Sequence, residues 1–98
     1  MPTLEEHCAE SISTYGQGFR EVHVWLDACH NLPGCGGVAH RRKRHHEAGI
    51  AEVAHMWGPK AAEAARQHIL SDLKQIGWTG PFPLNERHCE RMGLWVTR

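Results

Sequence analysis

The sequence predicts an all-α fold, a compact single-domain bundle of about four helices with an irregular C-terminal tail, and three observations carry that expectation. Apolar residues recur at helical spacing in four stretches, each stretch is bounded by a cap or a breaker, and no stretch alternates as a half-buried strand does. Ninety-eight residues suffice for one core and not for two, so residues 1–98 read as one helical domain.

The first helix begins at Thr3-Leu4-Glu5-Glu6, a capping box in which Thr3 serves the first turn and Glu6 reaches back. Leu4, Cys8, Ile12 and Tyr15 continue it on one face until Gly16-Gln17-Gly18 supplies the stop. Phe19, Val22, Leu26 and Cys29 set a second helix that ends before Pro33, since proline lacks an N–H and restricts its predecessor. Asn31 to Gly37 is a Pro/Gly loop. A third helix runs over about residues 39–57, with His46, Ile50, Val53 and Trp57 as one face. His46 then points inward and His45 lines the edge of the same seam. Pro59 fits a first-turn position, and Ala61, Ala62, Ala65, Ile69, Leu73 and Ile76 carry a fourth helix to Gly77. Beyond Trp78 the chain is irregular, with Asn85 placed to cap a short final turn.

Composition narrows the function classes. A net charge of zero and a pI near 7.1 argue against a surface built to neutralise phosphates. No apolar run approaches the roughly 18 residues that cross a bilayer, so no membrane role is expected. Glu5, Glu6 and Glu10 do not fit a secretory leader, and the expectation is a cytoplasmic protein with reduced thiols. Nine histidines are the anomaly.

His23 and Asp27 stand i, i+4 on the second helix, and His68 and Asp72 repeat that spacing on the fourth; either pair can bind one ion or its own partner. Between them lies His40-Arg41-Arg42-Lys43-Arg44-His45-His46. Arg41, Arg42, Lys43 and Arg44 are candidate phosphate contacts, but four consecutive residues spread around a helix and form no single stripe, so a solvated helix start is favoured. Trp78, Phe82 and Trp95 are candidate contact anchors for a protein partner, or else cover the open end of the core.

His23-Val24-Trp25-Leu26-Asp27, the His40–His46 run with Gly49 following, and His68-Ile69-Leu70-Ser71-Asp72-Leu73 together resemble the signature of a small uncharacterised family of bacterial and phage proteins. The resemblance covers roughly residues 19–78. It implies a helical fold and groups His23, Asp27, His40, His45, His46, His68 and Asp72 as candidate ligands of one transition metal ion, zinc first, with nickel, iron or manganese as alternatives. Without an ion the same residues would be satisfied core histidines with orienting carboxylates. A further likeness is to HD-type metal-dependent phosphohydrolases, which also draw His and Asp from separate helices, but their adjacent His-Asp doublet is replaced here by His45-His46. The expected output is therefore protein binding around a structural metal, as in a phage-type inhibitor of a host defence complex of the anti-CRISPR kind. Metal-dependent phosphohydrolysis and nucleic-acid binding are the alternatives.

Overall fold

The structure is a computed structural model and describes residues 3–95. Six α-helices follow one another, α1 (Leu4–Tyr15), α2 (Arg20–Asp27), α3 (Arg41–Arg44), α4 (Glu47–Trp57), α5 (Pro59–Gln75) and α6 (Glu86–Met92), and the described residues contain no strand. Short 3-10 turns at Ala28–Asn31 and Gly37–His40 flank the Pro/Gly loop.

The capping box is present in both directions: the Glu6 amide donates to Thr3 Oγ1 and the Thr3 amide to Glu6 Oε1, each over 3.1 Å. Gly16 closes α1 in the left-handed region at φ 77°, where glycine carries no Cβ penalty. The buried face of α1 is His7, Cys8 and Ser11, whereas Ile12, expected on the inward stripe, is 56% exposed. The helix is turned toward a polar interior rather than an apolar one.

Two expected helices are divided. The second ends at Asp27 and tightens into its 3-10 turn. The third, expected unbroken over 39–57, is interrupted at His45-His46, where His46 is extended at φ −164° and ψ 175° and caps α4. The first amides of α4 would be orphaned by this break. Glu47 and Ala48 instead donate to the carbonyls of Pro83 and Leu84, each over 3.0 Å, so the tail segment closes the helix start. Gly49 is required by the same turn, because a Cβ there would sit inside the Arg44 carbonyl group. Gly49→Ala is expected to cost about 3 kcal/mol or more, since backbone meets side chain with nothing flexible to yield; urea unfolding measures it, and a loss under about 1 kcal/mol would contradict this packing.

The apolar core joins Val22 and Leu26 of α2, Ile50 and Val53 of α4, Ala61, Ala65, Ile69 and Leu73 of α5, and Cys89 of α6. The alanines of α5 let α4 approach closely, and this pair makes the most extensive helix contact. Trp57, expected inside, is 40% exposed and meets Trp25 edge to face at 6.4 Å. All four cysteines are free and buried; burial pushes the Cys89 thiol up to about 11. The other half of the interior is polar.

A candidate metal centre of histidines and aspartates

Four pairs of polar residues, each one helical turn apart, build that polar half. They are His7 and Ser11 on α1, His23 and Asp27 on α2, Arg41 and His45 across the end of α3, and His68 and Asp72 on α5. A spacing of i, i+4 puts both members on one face, and the bundle turns all four faces toward one point. His7, Ser11, His23, Arg41, His45, His68 and Asp72 are buried, and the Asp27 side chain is 39% exposed. His40, at the head of α3, closes the cluster beside Asp27.

His68 is the hub. Its Nε2 lies 3.2 Å from His45 Nε2, 3.5 Å from Asp27 Oδ1 and 3.4 Å from Asp72 Oδ2. His45 Nε2 in turn lies 3.3 Å from Asp27 Oδ1 and 3.1 Å from Asp72 Oδ2. Two ring nitrogens at this separation can share one proton in an N–H···N hydrogen bond or can share a metal ion. Atoms bound tetrahedrally to zinc at about 2.0–2.1 Å stand about 3.3–3.4 Å apart, the separation seen here. Asp27, His45 and His68 thus lie within metal-binding distance of one another, as do His7, His23 and His68.

His40 donates its Nδ1–H to the Gly37 carbonyl over 2.6 Å and turns Nε2 to Asp27 Oδ1 at 3.1 Å. Arg41, 1% exposed, places NH2 3.3 Å from Asp72 Oδ1 and lies over the Trp95 ring at 4.9 Å. His7 stacks face to face on His68, with centroids 3.6 Å apart, and reaches Asp72 Oδ1 at 3.4 Å.

The electrostatics follow from the crowding. Burial alone would raise the Asp27 and Asp72 carboxyls, but hydrogen bonds from His40, His45 and His68 to Asp27, and from His45, His68 and His7 to Asp72, hold both far below the usual carboxylate range. Burial lowers His45, with the two carboxylates opposing, and drives His23 down to about 4, helped by His68 and His7. His68 goes up: burial works against its charge, and Asp27 and Asp72 outweigh burial. The same two carboxylates, 3.5 and 3.4 Å from His68 Nε2, would favour any cation beside it.

The remaining sequence candidates are placed elsewhere. His46 is buried, but both ring nitrogens serve the backbone: Nδ1 accepts from the Gly49 amide and Nε2–H donates to the Arg42 carbonyl, each over 3.0 Å. It is the N-cap of α4. The basic run disperses as its helical spacing requires. Arg41 turns inward, Arg42 approaches Glu90 at 3.9 Å, Lys43 pairs with Glu86 at 2.8 Å, and Arg44 donates to the Trp25 carbonyl and covers that ring at 4.1 Å. Among the tail aromatics Trp95 is 2% exposed, and Trp78 and Phe82 pack partly buried against the core. They cover the end of the core, and Trp95 is placed as the floor beneath Arg41 rather than as a surface anchor.

His7, Ser11 and Arg41 are the cluster members that sequence reasoning did not assign to it. Their i, i+4 spacings, matching those of His23–Asp27 and His68–Asp72, were the available signal.

These features define a small all-helical protein with a buried His/Asp cluster able to hold a metal ion. The chain belongs to the family described as Domain of unknown function (DUF6915), whose model matches residues 3–82 and so contains every histidine and carboxylate of the cluster. No curated protein and no solved structure matches the chain.

Proposed function

We propose that this protein binds one transition metal ion, zinc foremost, through Asp27 Oδ1, His45 Nε2 and His68 Nε2, with Asp72 Oδ2, 3.1 Å from His45 Nε2 and 3.4 Å from His68 Nε2, as the fourth ligand. The observation that carries this reading is the mutual 3.2–3.5 Å spacing of those first three atoms. Imidazole and carboxylate ligands without sulfur suit zinc, and equally nickel, iron or manganese under other supply. Four protein ligands would saturate a tetrahedral ion, the hallmark of a structural site. The ion would join α2, α5 and the α3–α4 break, the segments that carry Asp27, His68 with Asp72, and His45.

Titration of metal-free protein with zinc tests this. Because Asp27 and Asp72 raise the proton affinity of His68 against the effect of burial, proton and metal compete for its Nε2. The expected result is one equivalent bound, with an affinity that falls as pH is lowered. No binding, or an affinity indifferent to pH, would count against the site.

With the ion holding the fold, the biological output in this reading is contact with a partner protein. The surface favouring it is the apolar face around Trp25, where Val24, Met56 and Trp57 are each at least 40% exposed. Trp57→Ser combined with Met56→Ser is expected to abolish partner capture from host lysate with zinc stoichiometry intact. Undiminished capture would remove this face from the account.

A further inference from the structure

His68 has a second ring nitrogen, and it does not face the ion site. Its Nδ1 lies 2.9 Å from Nδ1 of His23, and the Nε2 of His23 lies 2.8 Å from Ser11 Oγ. All three side chains are 1% exposed or less, so water does not compete for these contacts. Two imidazole nitrogens at 2.9 Å form a hydrogen bond only if one carries a proton and the other does not.

From this geometry we infer that Ser11 and His23 form a directed hydrogen-bond relay that positions His68 for the metal, with His23 acting through His68 and not as a ligand. This rests on the proposed ion site. When His68 offers its Nε2 lone pair to an ion, the neutral ring carries its proton on Nδ1. That N–H donates to His23 Nδ1. His23, accepting there, carries its own proton on Nε2 and donates to Ser11 Oγ. Each assignment forces the next, and the chain has one consistent direction. The relay fixes the plane of the His68 ring and strengthens it as a donor, as an orienting partner does for a metal-bound histidine.

The alternative use of His23 is a second ion shared with His7 and His68, whose nitrogens are also close. The ring arrangement disfavours it. His7 and His68 are stacked with only 16° between planes, and in-plane lone pairs of near-parallel stacked rings do not converge on one point.

The test uses zinc-loaded full-length protein with nitrogen-15-labelled histidines. The spectra should show His68 protonated on Nδ1 and bound through Nε2, and His23 protonated on Nε2 with no zinc-induced ligand shift. His23→Ala should weaken zinc binding by about 10- to 100-fold while stoichiometry stays at one. Ser11→Ala, which removes only the end of the relay, should perturb the His23 Nε2 signal and weaken zinc binding less; it carries the test alone if His23→Ala does not fold. His23 protonated on Nδ1, His23 ligating zinc, a second bound equivalent, or unchanged affinity in both variants would overturn the relay and leave the ion site standing. Failure of the unsubstituted protein to bind zinc is a separate outcome that overturns both.

Discussion

His68→Ala is expected to abolish zinc binding and to destabilise the metal-free protein by about 3–5 kcal/mol. The first effect follows from its place in the site, because its Nε2 is within 3.5 Å of both carboxylates and of His45. The second follows from what it leaves behind. Asp72 is buried, and His68 Nε2 is one of the groups that face its carboxylate, at 3.4 Å. Removing His68 takes one partner from a buried carboxylate that water cannot reach, leaving Arg41, His45 and His7 to compensate it. The stacked His7 ring would also lose its neighbour and gain a cavity. Denaturant unfolding with and without zinc reads both effects. A variant that keeps wild-type zinc affinity would show that His68 is not a ligand.

Arg41→Met separates charge from packing. Methionine fills much of the buried space beside Trp95 but leaves Asp72 without the guanidinium 3.3 Å away. The metal-free variant should lose about 3–5 kcal/mol. Zinc should recover much of that loss, since a divalent cation supplies the missing charge. By linkage the variant should then bind zinc more tightly than the unsubstituted protein, and its gain in melting temperature on zinc addition should be larger. An equal gain in both proteins would mean that Arg41 does not face the ion.

Much of the helical content was legible because it depends on local signals. Thr3, Gly16, Pro59 and Asn85 act where their chemistry predicts, and α5 runs over Pro59–Gln75 against an expected 59–76. Six helices stand where about four were expected: α6 is the short final turn capped by Asn85, and the other addition comes from dividing the third helix, a boundary that depends on a tertiary contact. The break at His45-His46 exists because Pro83 and Leu84 satisfy the first amides of α4, a contact between residues nearly forty positions apart. A helical wheel drawn through 39–57 had no access to it. The break is also what sends His45 into the cluster while His46 stays behind as a cap.

The candidate ligands were legible where two polar residues share a helical turn, as with His23–Asp27 and His68–Asp72. The same spacing at His7–Ser11 was obscured because Leu4, Cys8, Ile12 and Tyr15 offered a competing apolar stripe on α1. That stripe would win against an apolar core. Against a polar one, the face bearing His7 and Ser11 turns inward and Ile12 remains outside. Arg41 was hidden for a related reason, since in sequence it belongs to a basic run and only the fold sets it apart from Arg42, Lys43 and Arg44.

X-ray absorption at the zinc edge of the loaded protein tests the central claim most directly. The account predicts nitrogen and oxygen neighbours at about 2.0–2.1 Å, imidazole scattering from two histidines, and no sulfur. A sulfur shell at about 2.3 Å, or a spectrum unchanged in an Asp27→Asn, His45→Gln double variant, would place the ion elsewhere and contradict the account.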